Sequence, residues 1–295
     1  MLMRCRTTAT RIFLKCIVIL LVGVGTTTAA TDPRALNLSL LDAAKRGEWE
    51  LVASSLSDGA SITTRDRFGN TALIYAARGG HVKTARVLIE AGADANQANL
   101  NGNTPLFEAA GNGTLDVVRF LLQQNADPNL VNMKQVSPLS SAIFHGHAAI
   151  AELLLQSGAR ADFVDSTGKT STVYAAANGD AHMLRQLLDS NNGPTISVDA
   201  RYSHELTLLM WAAGYGHRDV VEMLTARGAA VDLVDDRGKS ALMMAAEQGH
   251  SAVVRHLVDQ DSDTNLRDNN GETAKNLALS AGHTETARVL EQQLQ

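Results

Sequence analysis

The sequence is poor in aromatic residues, in proline and in cysteine. Only 4% of its 295 residues are Phe, Trp or Tyr, and there are 5 prolines and 2 cysteines against 23 glycines. So few aromatic side chains argue against one large aromatic core and favour many small helical layers rich in Ala, Leu and Gly. With 45% hydrophobic and 19% charged residues, the composition excludes collagen, a polytopic membrane protein and a mostly disordered chain.

Acidic residues are absent before Asp32, and the first thirty residues differ from the rest. Four basic residues come first, then an uncharged apolar run over residues 16–24, then the small residues Thr28, Ala29 and Ala30. This order is typical of a secretory signal peptide, and the apolar run is shorter than the about 20 residues that span a bilayer. We therefore predict a signal peptide over residues 1–30 with cleavage near Ala30; the alternative is an uncleaved membrane anchor.

Loss of the signal peptide would change the charge and the cysteine content. It would leave 22 basic and 31 acidic residues, a net charge of −9. Nucleic-acid binding draws on basic patches, so this balance argues against a nucleic-acid partner. Cys5 and Cys16 would both be lost, and the mature chain would contain neither a disulfide nor a thiol.

Glycines recur along the rest of the chain at intervals of 33 residues, with one interval of 37. The series is Gly47, Gly80, Gly113, Gly146, Gly179, Gly216, Gly249 and Gly282. A second series has the same steps: Gly69, Gly102, Gln135, Gly168, Glu205, Gly238 and Gly271. The shared interruption places one four-residue insertion near residues 191–198.

Each interval contains the signals of two short helices. A turn precedes a hydroxyl that is suited to cap a helix start, at Thr71, Thr104, Ser137, Thr170, Thr207, Ser240 and Thr273. Small residues such as Ala76 and Ala77 follow, and a glycine of the first series then suits the left-handed end of that helix. A second, amphipathic helix comes next, as at residues 117–122. The predicted unit is turn, helix, turn, helix and loop.

The segment Thr104-Pro105-Leu106-Phe107-Glu108-Ala109 and the recurring Gly-His pairs resemble the ankyrin repeat, which has a 33-residue period and the signature T-P-L-H-x-A. The signature histidine is replaced in every unit, for example by Phe107 and Met210. The resemblance implies an all-α solenoid of about eight helix-turn-helix units with terminal caps. We expect one repeat domain over residues 31–295, with units at about 36–65, 66–98, 99–131, 132–164, 165–201, 202–234, 235–267 and 268–295.

The chemical motifs of enzymes are missing from this pattern. Five histidines lie at the Gly-His position, at least one repeat apart, whereas zinc ligands must converge on one point. We therefore interpret them as structural and predict no metal site. The sequence contains no nucleophile elbow and no phosphate-binding loop. We predict that the protein is not an enzyme and needs neither a cofactor nor a small-molecule substrate.

The residues that vary between units lie on the exposed side of the first helix and in the turn before it. In ankyrin proteins these positions line a concave groove that binds partners. The predicted partner-binding residues are Phe68, Tyr75, Arg78, Phe144, His145, Tyr174, Tyr202, Trp211, Tyr215, Met244 and Glu247. Exposed Trp and Tyr beside Arg are frequent anchors of interfaces. The alternative is that Tyr75, Tyr174 and Trp211 only fill space between repeats.

The sequence thus predicts a monomeric, exported module that binds a protein partner through its concave face. We expect a bacterial periplasmic location, or secretion, and no membrane contact after cleavage. The first hypothesis for its role is an adaptor or scaffold for an envelope or stress-defence protein. Two alternatives remain open: an immunity protein that neutralises a toxic effector delivered to the periplasm, and a secreted effector that binds a host protein.

Overall fold

Short helices follow one another in pairs through residues 32–292, the part of the chain that this computed structural model describes. The predicted signal peptide lies outside the described residues. The pairs are α1 (Pro33–Arg46) and α2 (Trp49–Ser57), α3 (Ala72–Arg78) and α4 (Val82–Glu90), α5 (Pro105–Gly111) and α6 (Leu115–Gln123), α7 (Pro138–Phe144) and α8 (Ala148–Gln156), α9 (Ser171–Asn178) and α10 (Ala181–Asp189), α11 (Leu208–Gly214) and α12 (Arg218–Ala226), α13 (Ala241–Glu247) and α14 (Ser251–Asp259), and α15 (Ala274–Ser280) and α16 (Thr284–Gln292).

The all-α fold of eight helix pairs is as predicted. No strand occurs between residues 32 and 292, where the only extended pairing is an isolated bridge between Val234 and Ser240. One short 3-10 turn, Ser203–Glu205, precedes α11. Within the same residues no helix is long and apolar enough to cross a membrane.

The predicted capping hydroxyls begin the first helices of units two to eight. In each case the side-chain oxygen accepts a hydrogen bond from the backbone N–H three residues later, as Thr104 does from Phe107 at 3.1 Å. The capping residues are Thr71, Thr104, Ser137, Thr170, Thr207, Ser240 and Thr273. An N-cap of this kind stabilises a helix by about 1 kcal/mol, which matters for helices of only seven or eight residues.

The core consists of two layers of helices. Each first helix packs against the first helix of the next unit, and each second helix packs in the same way on its neighbour. Alanine pairs such as Ala76 and Ala77 are fully buried in the first layer, where their small side chains let adjacent helices approach. Leu88 and Leu121 of the second layer are also fully buried. Each such leucine contributes about 1.5 to 3 kcal/mol of burial free energy.

Histidines join consecutive units at the Gly-His position. The Nε2–H of His147 donates to the carbonyl oxygen of Gly111 at 3.2 Å, and that of His217 donates to Ala177 at 2.7 Å. His81 and His250 make the same bond one unit back, to Lys45 and Gly214. These four histidines have the structural role that the sequence predicts.

Each of these rings occupies the space that a glycine leaves open in the preceding unit. A Cβ atom added at Gly113, whose φ is +76°, would lie 2.7 Å from the ring of His147. Gly146 has nearly the same φ, +75°, but nothing lies within 4 Å of its added Cβ, because Asp180 replaces the histidine there. The Asp180 carboxylate instead caps α10 through the Met183 N–H.

The turns also bond to one another and accommodate the insertion. The Leu100 N–H donates to the Phe68 carbonyl at 3.0 Å, and the Met133 N–H donates to Asn101 at 2.9 Å. The predicted insertion lies in the long connection between α10 and α11, where the Asn192 amide donates to the Leu155 carbonyl at 2.6 Å. This bond holds the inserted residues against the preceding unit.

Two glycine substitutions separate backbone strain from the contact with histidine. Gly146→Ala introduces only a positive φ for alanine and is expected to cost about 1 kcal/mol of unfolding free energy. Gly113→Ala adds a collision with His147 and is expected to cost a further 1 to 3 kcal/mol. Urea unfolding followed by circular dichroism measures both.

The double variant Gly113→Ala/His147→Ala tests whether the collision with the His147 ring causes the additional cost of Gly113→Ala. Because removal of the ring removes the collision, the two changes together should cost less than the sum of their separate effects. Equal costs for Gly113→Ala and Gly146→Ala would show that the ring contact does not constrain the stack.

Candidate partner-binding face

The first helices and their preceding turns present one continuous surface, which we call the first-helix face. It consists of the exposed sides of the odd-numbered helices α3 to α15 and of α1, with the turns that lead into them. Since the caps and alanine pairs fix each first helix in the same register, residues at equivalent positions are brought side by side. Ten of the eleven predicted partner-binding residues are exposed or half-buried on this face, and Met244 is buried.

An aromatic line crosses this face from unit four to unit six. The ring centroids of Phe144 and Tyr174 are 5.4 Å apart in an edge-to-face arrangement, and those of Trp211 and Tyr215 are 6.1 Å apart and stacked. Lys169 connects the two pairs, because its ammonium nitrogen lies 5.9 Å from the Tyr174 ring and 5.3 Å from the Trp211 ring. The predicted residues of these three units therefore form one surface.

The outer members of the line are accessible to a partner. Phe144 is 58% exposed and Tyr215 is 56% exposed, while Tyr174 and Trp211 are half-buried against the core. The alternative was that the Tyr75, Tyr174 and Trp211 rings fill space between repeats. Each of these rings does pack against the core on one side. Each also leaves part of its surface open.

A recess of about 590 Å³ opens beside Trp211 and Tyr215. Met210, Gly214 and Met244 contribute to its lining, and Arg237, Glu247 and Gln248 supply polar groups. The charged groups are already paired: Arg237 binds the buried Asp235 at 2.7 Å, and Lys239 binds Glu247 at 2.6 Å. The recess thus offers an apolar surface with a rim whose charged groups are in ion pairs.

Tyrosine–aspartate pairs anchor the helices to the turns at two places. The Tyr75 hydroxyl donates to Asp66 at 2.5 Å, and the Tyr174 hydroxyl donates to Asp165 in the equivalent position. Burial, together with the Asp165 carboxylate, raises the pKa of Tyr174 to about 12. Burial alone would raise the pKa of Asp165, but hydrogen bonds from Tyr174 and Thr167 lower it.

Met244 is the one predicted residue that is buried, and Tyr202 is half-buried. Tyr202 packs against the core, and its hydroxyl pairs with the Thr172 hydroxyl at 2.9 Å. Met244 is only 8% exposed and lies at the wall of the recess. Met244 thus contributes to the face through the wall of the recess. His145 is exposed and lies edge-to-face with Phe144 at 5.0 Å.

The remaining predicted residues lie towards the amino-terminal end of the face. Arg78 forms a two-pronged ion pair with Glu108 of the next unit, at 2.9 and 3.0 Å. Tyr75 and the exposed Phe68 line a separate recess of about 750 Å³ against α1. Phe68 therefore belongs to a different part of the face from Trp211.

Lys169 is the main residue that the sequence analysis missed. It directly precedes the capping Thr170, a position that Asn70 and Lys239 occupy in other units. Lys239 also points to the face, where it reaches Glu247. The repeat register could have identified this position, because the residue before each cap leaves the turn on the same side.

Histidine, cysteine and acidic side chains are the groups that could hold a metal ion. Among residues 32–292 no three such side chains are placed to hold a metal ion.

Comparison with known proteins agrees with this architecture. A family model described as ankyrin repeats (3 copies) matches residues 40–132, 139–235 and 209–293. These matches span most of the chain, and the protein belongs to the ankyrin-repeat family. An ankyrin stack is typically a non-catalytic module for protein–protein interaction, which is the coarse function that the sequence predicts.

One relative is similar to this chain over a short stretch. The E3 ubiquitin-protein ligase hecd-1 of Caenorhabditis elegans is 36% identical to this chain over 77 residues. That stretch is 26% of this chain and 3% of hecd-1. The chain thus matches a small part of that ligase.

The Tyr174–Asp165 pair generates a prediction about pH. The pKa of Asp165 is lowered in the folded state. Ionised Asp165 therefore stabilises the fold at pH values above its ordinary pKa, and this contribution is lost as the pH falls through the lowered pKa. Tyr174→Phe removes one donor to that carboxylate. We expect it to reduce the unfolding free energy by about 1 kcal/mol at neutral pH and by less once Asp165 is protonated.

Urea unfolding at neutral and acid pH checks this prediction. Tyr202→Phe is the matched control, because its hydroxyl pairs with a neutral threonine and its effect should not change over the same range. A loss for Tyr174→Phe that is the same at both pH values would contradict the assignment.

Proposed function

We propose that this protein is an exported adaptor that binds another protein through its first-helix face, with the recess beside Trp211 and Tyr215 as the main anchor. The observation that carries the proposal is the aromatic line from Phe144 to Tyr215. It extends over three units, is open to solvent at both ends and adjoins a recess of about 590 Å³.

The chemistry of the line suits a protein partner. Trp and Tyr are enriched among the residues that dominate interface energies, and truncation of such an anchor typically costs 2 kcal/mol or more. The Lys169 ammonium, held between two rings, adds a site for a carbonyl or carboxylate of the partner. A side chain that enters the recess would contact Met210, Met244 and the Trp211 ring.

The frame makes the face ready for binding. Both helix layers are buried against their neighbours, and the histidine bonds and turn-to-turn bonds connect the units. A partner therefore meets a surface whose backbone is ordered before binding, so that little conformational entropy is lost.

Export rests on the order of residues in the first thirty positions. The predicted outcome is that protein recovered from the periplasmic fraction begins near Thr31, as determined by intact mass and amino-terminal sequencing. A variant with Leu20→Arg and Leu21→Arg, which interrupts the apolar run, should remain in the cytoplasm at full length. Full-length wild-type protein in the membrane fraction would support the anchor alternative instead.

Substitutions in the recess test the binding site. Trp211→Ala/Tyr215→Ala should weaken partner binding by about 2 to 4 kcal/mol, because it removes both stacked rings. Affinity capture from periplasm with the mature chain identifies the partner, and titration calorimetry with that partner measures the loss. Tyr215→Ala alone changes an exposed ring and provides a second variant if the double variant unfolds.

The matched control is Trp49→Ala, which truncates an equally large ring on α2, outside the first-helix face. It should leave binding unchanged. Unchanged binding in the recess variants, with intact helical content and melting, would contradict the proposal.

The identity of the captured protein then decides the role. A toxic hydrolase that the mature chain inhibits would favour the immunity role. A host protein bound by material from culture supernatant would favour the effector role. An envelope or stress-defence protein would support the adaptor role proposed above.

A further inference from the structure

Three consecutive turns in the first half of the chain carry exposed apolar side chains at their tips. Phe68 is 54% exposed, Leu100 is 65% exposed and Met133 is 74% exposed. The backbone bonds from Leu100 to Phe68 and from Met133 to Asn101 hold these tips next to one another. We call this row the apolar turn row.

The row is confined to the turns of units two to four. The tip pairs there are Arg67-Phe68, Leu100-Asn101 and Met133-Lys134. The later tip pairs are all polar: Ser166-Thr167, Ser203-His204, Asp236-Arg237 and Asn269-Asn270. Since the fold needs no apolar residue at this position, the row is a local property of this half of the surface.

Charge at the row is positive, although the predicted mature chain carries −9. The three tip pairs contain Arg67 and Lys134 and no acidic residue. The Arg67 guanidinium lies 4.6 Å from the centre of the Phe68 ring, which places a cation directly over an exposed apolar surface. Asp66, the nearest carboxylate in the same turn, accepts hydrogen bonds from Tyr75 and Asn70.

The row continues into the recess of about 750 Å³ behind Phe68. Leu38, Leu41 and Tyr75 supply apolar lining, and Lys45 adds a further cation 6.0 Å from the Tyr75 ring. The recess and the row thus combine apolar surface with positive charge from α1 to the turn of unit four, and Asp66 is the carboxylate in the lining of the recess.

We propose that the apolar turn row and this recess form a second docking surface, which binds an extended acidic segment of a partner protein that also carries apolar side chains. Carboxylates of the segment pair with Arg67 and Lys134, and its apolar side chains contact Phe68, Leu100 and Met133. Charge complementarity selects this occupant. The basic residues 1–30 of the chain itself, with four cations and no acid, would be repelled. A flat lipid surface would leave the recess unfilled.

Peptides of repeated Asp-Gly-Leu triplets are the probe, with fluorescence anisotropy at low salt as the readout. Saturable binding is expected for this peptide, and at least tenfold weaker binding for Lys-Gly-Leu and Asp-Gly-Ser peptides of equal length. Added salt should weaken binding because the charged groups are at the surface.

Variants locate the site. Leu100→Ser/Met133→Ser and Arg67→Glu/Lys134→Glu should each weaken binding of the Asp-Gly-Leu peptide about tenfold, which corresponds to 1.4 kcal/mol. These side chains are exposed, so the melting temperature should not change. The matched controls are Leu279→Ser on α15, an exposed apolar residue, and Arg119→Glu on α6, an exposed cation; both should bind as the wild type does.

This inference does not depend on the recess beside Trp211, and Tyr215→Ala should leave peptide binding unchanged. Loss of peptide binding in Tyr215→Ala would overturn it, as would equal binding of the Asp-Gly-Leu and Lys-Gly-Leu peptides. It is also overturned if the turn-row variants bind the peptide normally but lose binding to phosphatidylglycerol vesicles, which indicates a membrane surface. The inference is likewise overturned if the turn-row variants change only the oligomeric state in sedimentation, because that result indicates that a second copy of the chain occupies the row.

Discussion

The structure depends on the fit between a glycine that lacks a side chain and the histidine ring of the next unit. The His147 ring lies where a Cβ of Gly113 would be, and its nitrogen binds a carbonyl at the end of the preceding first helix. His81, His217 and His250 repeat both contacts, and Thr114 takes the carbonyl bond in another unit through its hydroxyl. At these junctions the contact joins consecutive first helices and so helps to set the spacing of the residues that those helices expose. At Gly146, where Asp180 replaces the histidine, α7 and α9 pack without it. The spacing of residues on the first-helix face therefore rests in part on these contacts.

Two regions of that face differ in chemistry although their backbone is the same. Phe144, Tyr174, Trp211 and Tyr215 form an aromatic line with Lys169 between two of its rings, and the charged residues of the adjoining recess are in ion pairs. The turns of units two to four carry apolar tips beside cations. A repeat protein permits two such regions because each unit contacts only its neighbours. Side chains outside the glycine–histidine contacts can therefore change without loss of the stack.

Most of the fold could be predicted from the sequence because its determinants are local and repeated. Thr104 caps a helix and Gly80 adopts a φ of +75° for reasons that a single turn contains. The repeat register also identifies the turns that lack the usual glycine: Gln135 and Glu205 have positive φ at the positions where the other units have glycine. The face was harder to predict. Met244 is buried, whereas Tyr174 and Trp211 at the equivalent position are half-buried, and the proximity of Lys169 to Trp211 joins residues of different units. Such contacts between units cannot be read from the sequence of a single repeat.

The central claim is that a partner protein binds the first-helix face, and site-specific photo-crosslinking in living cells tests it most directly. A photoreactive phenylalanine derivative would replace Tyr215 on this face in one strain and Arg119 on α6 in another. The account predicts a single covalent adduct with the same protein in every preparation from the Tyr215 position, and none from Arg119. Adducts of equal yield from both positions, or an adduct from Arg119 alone, would contradict it.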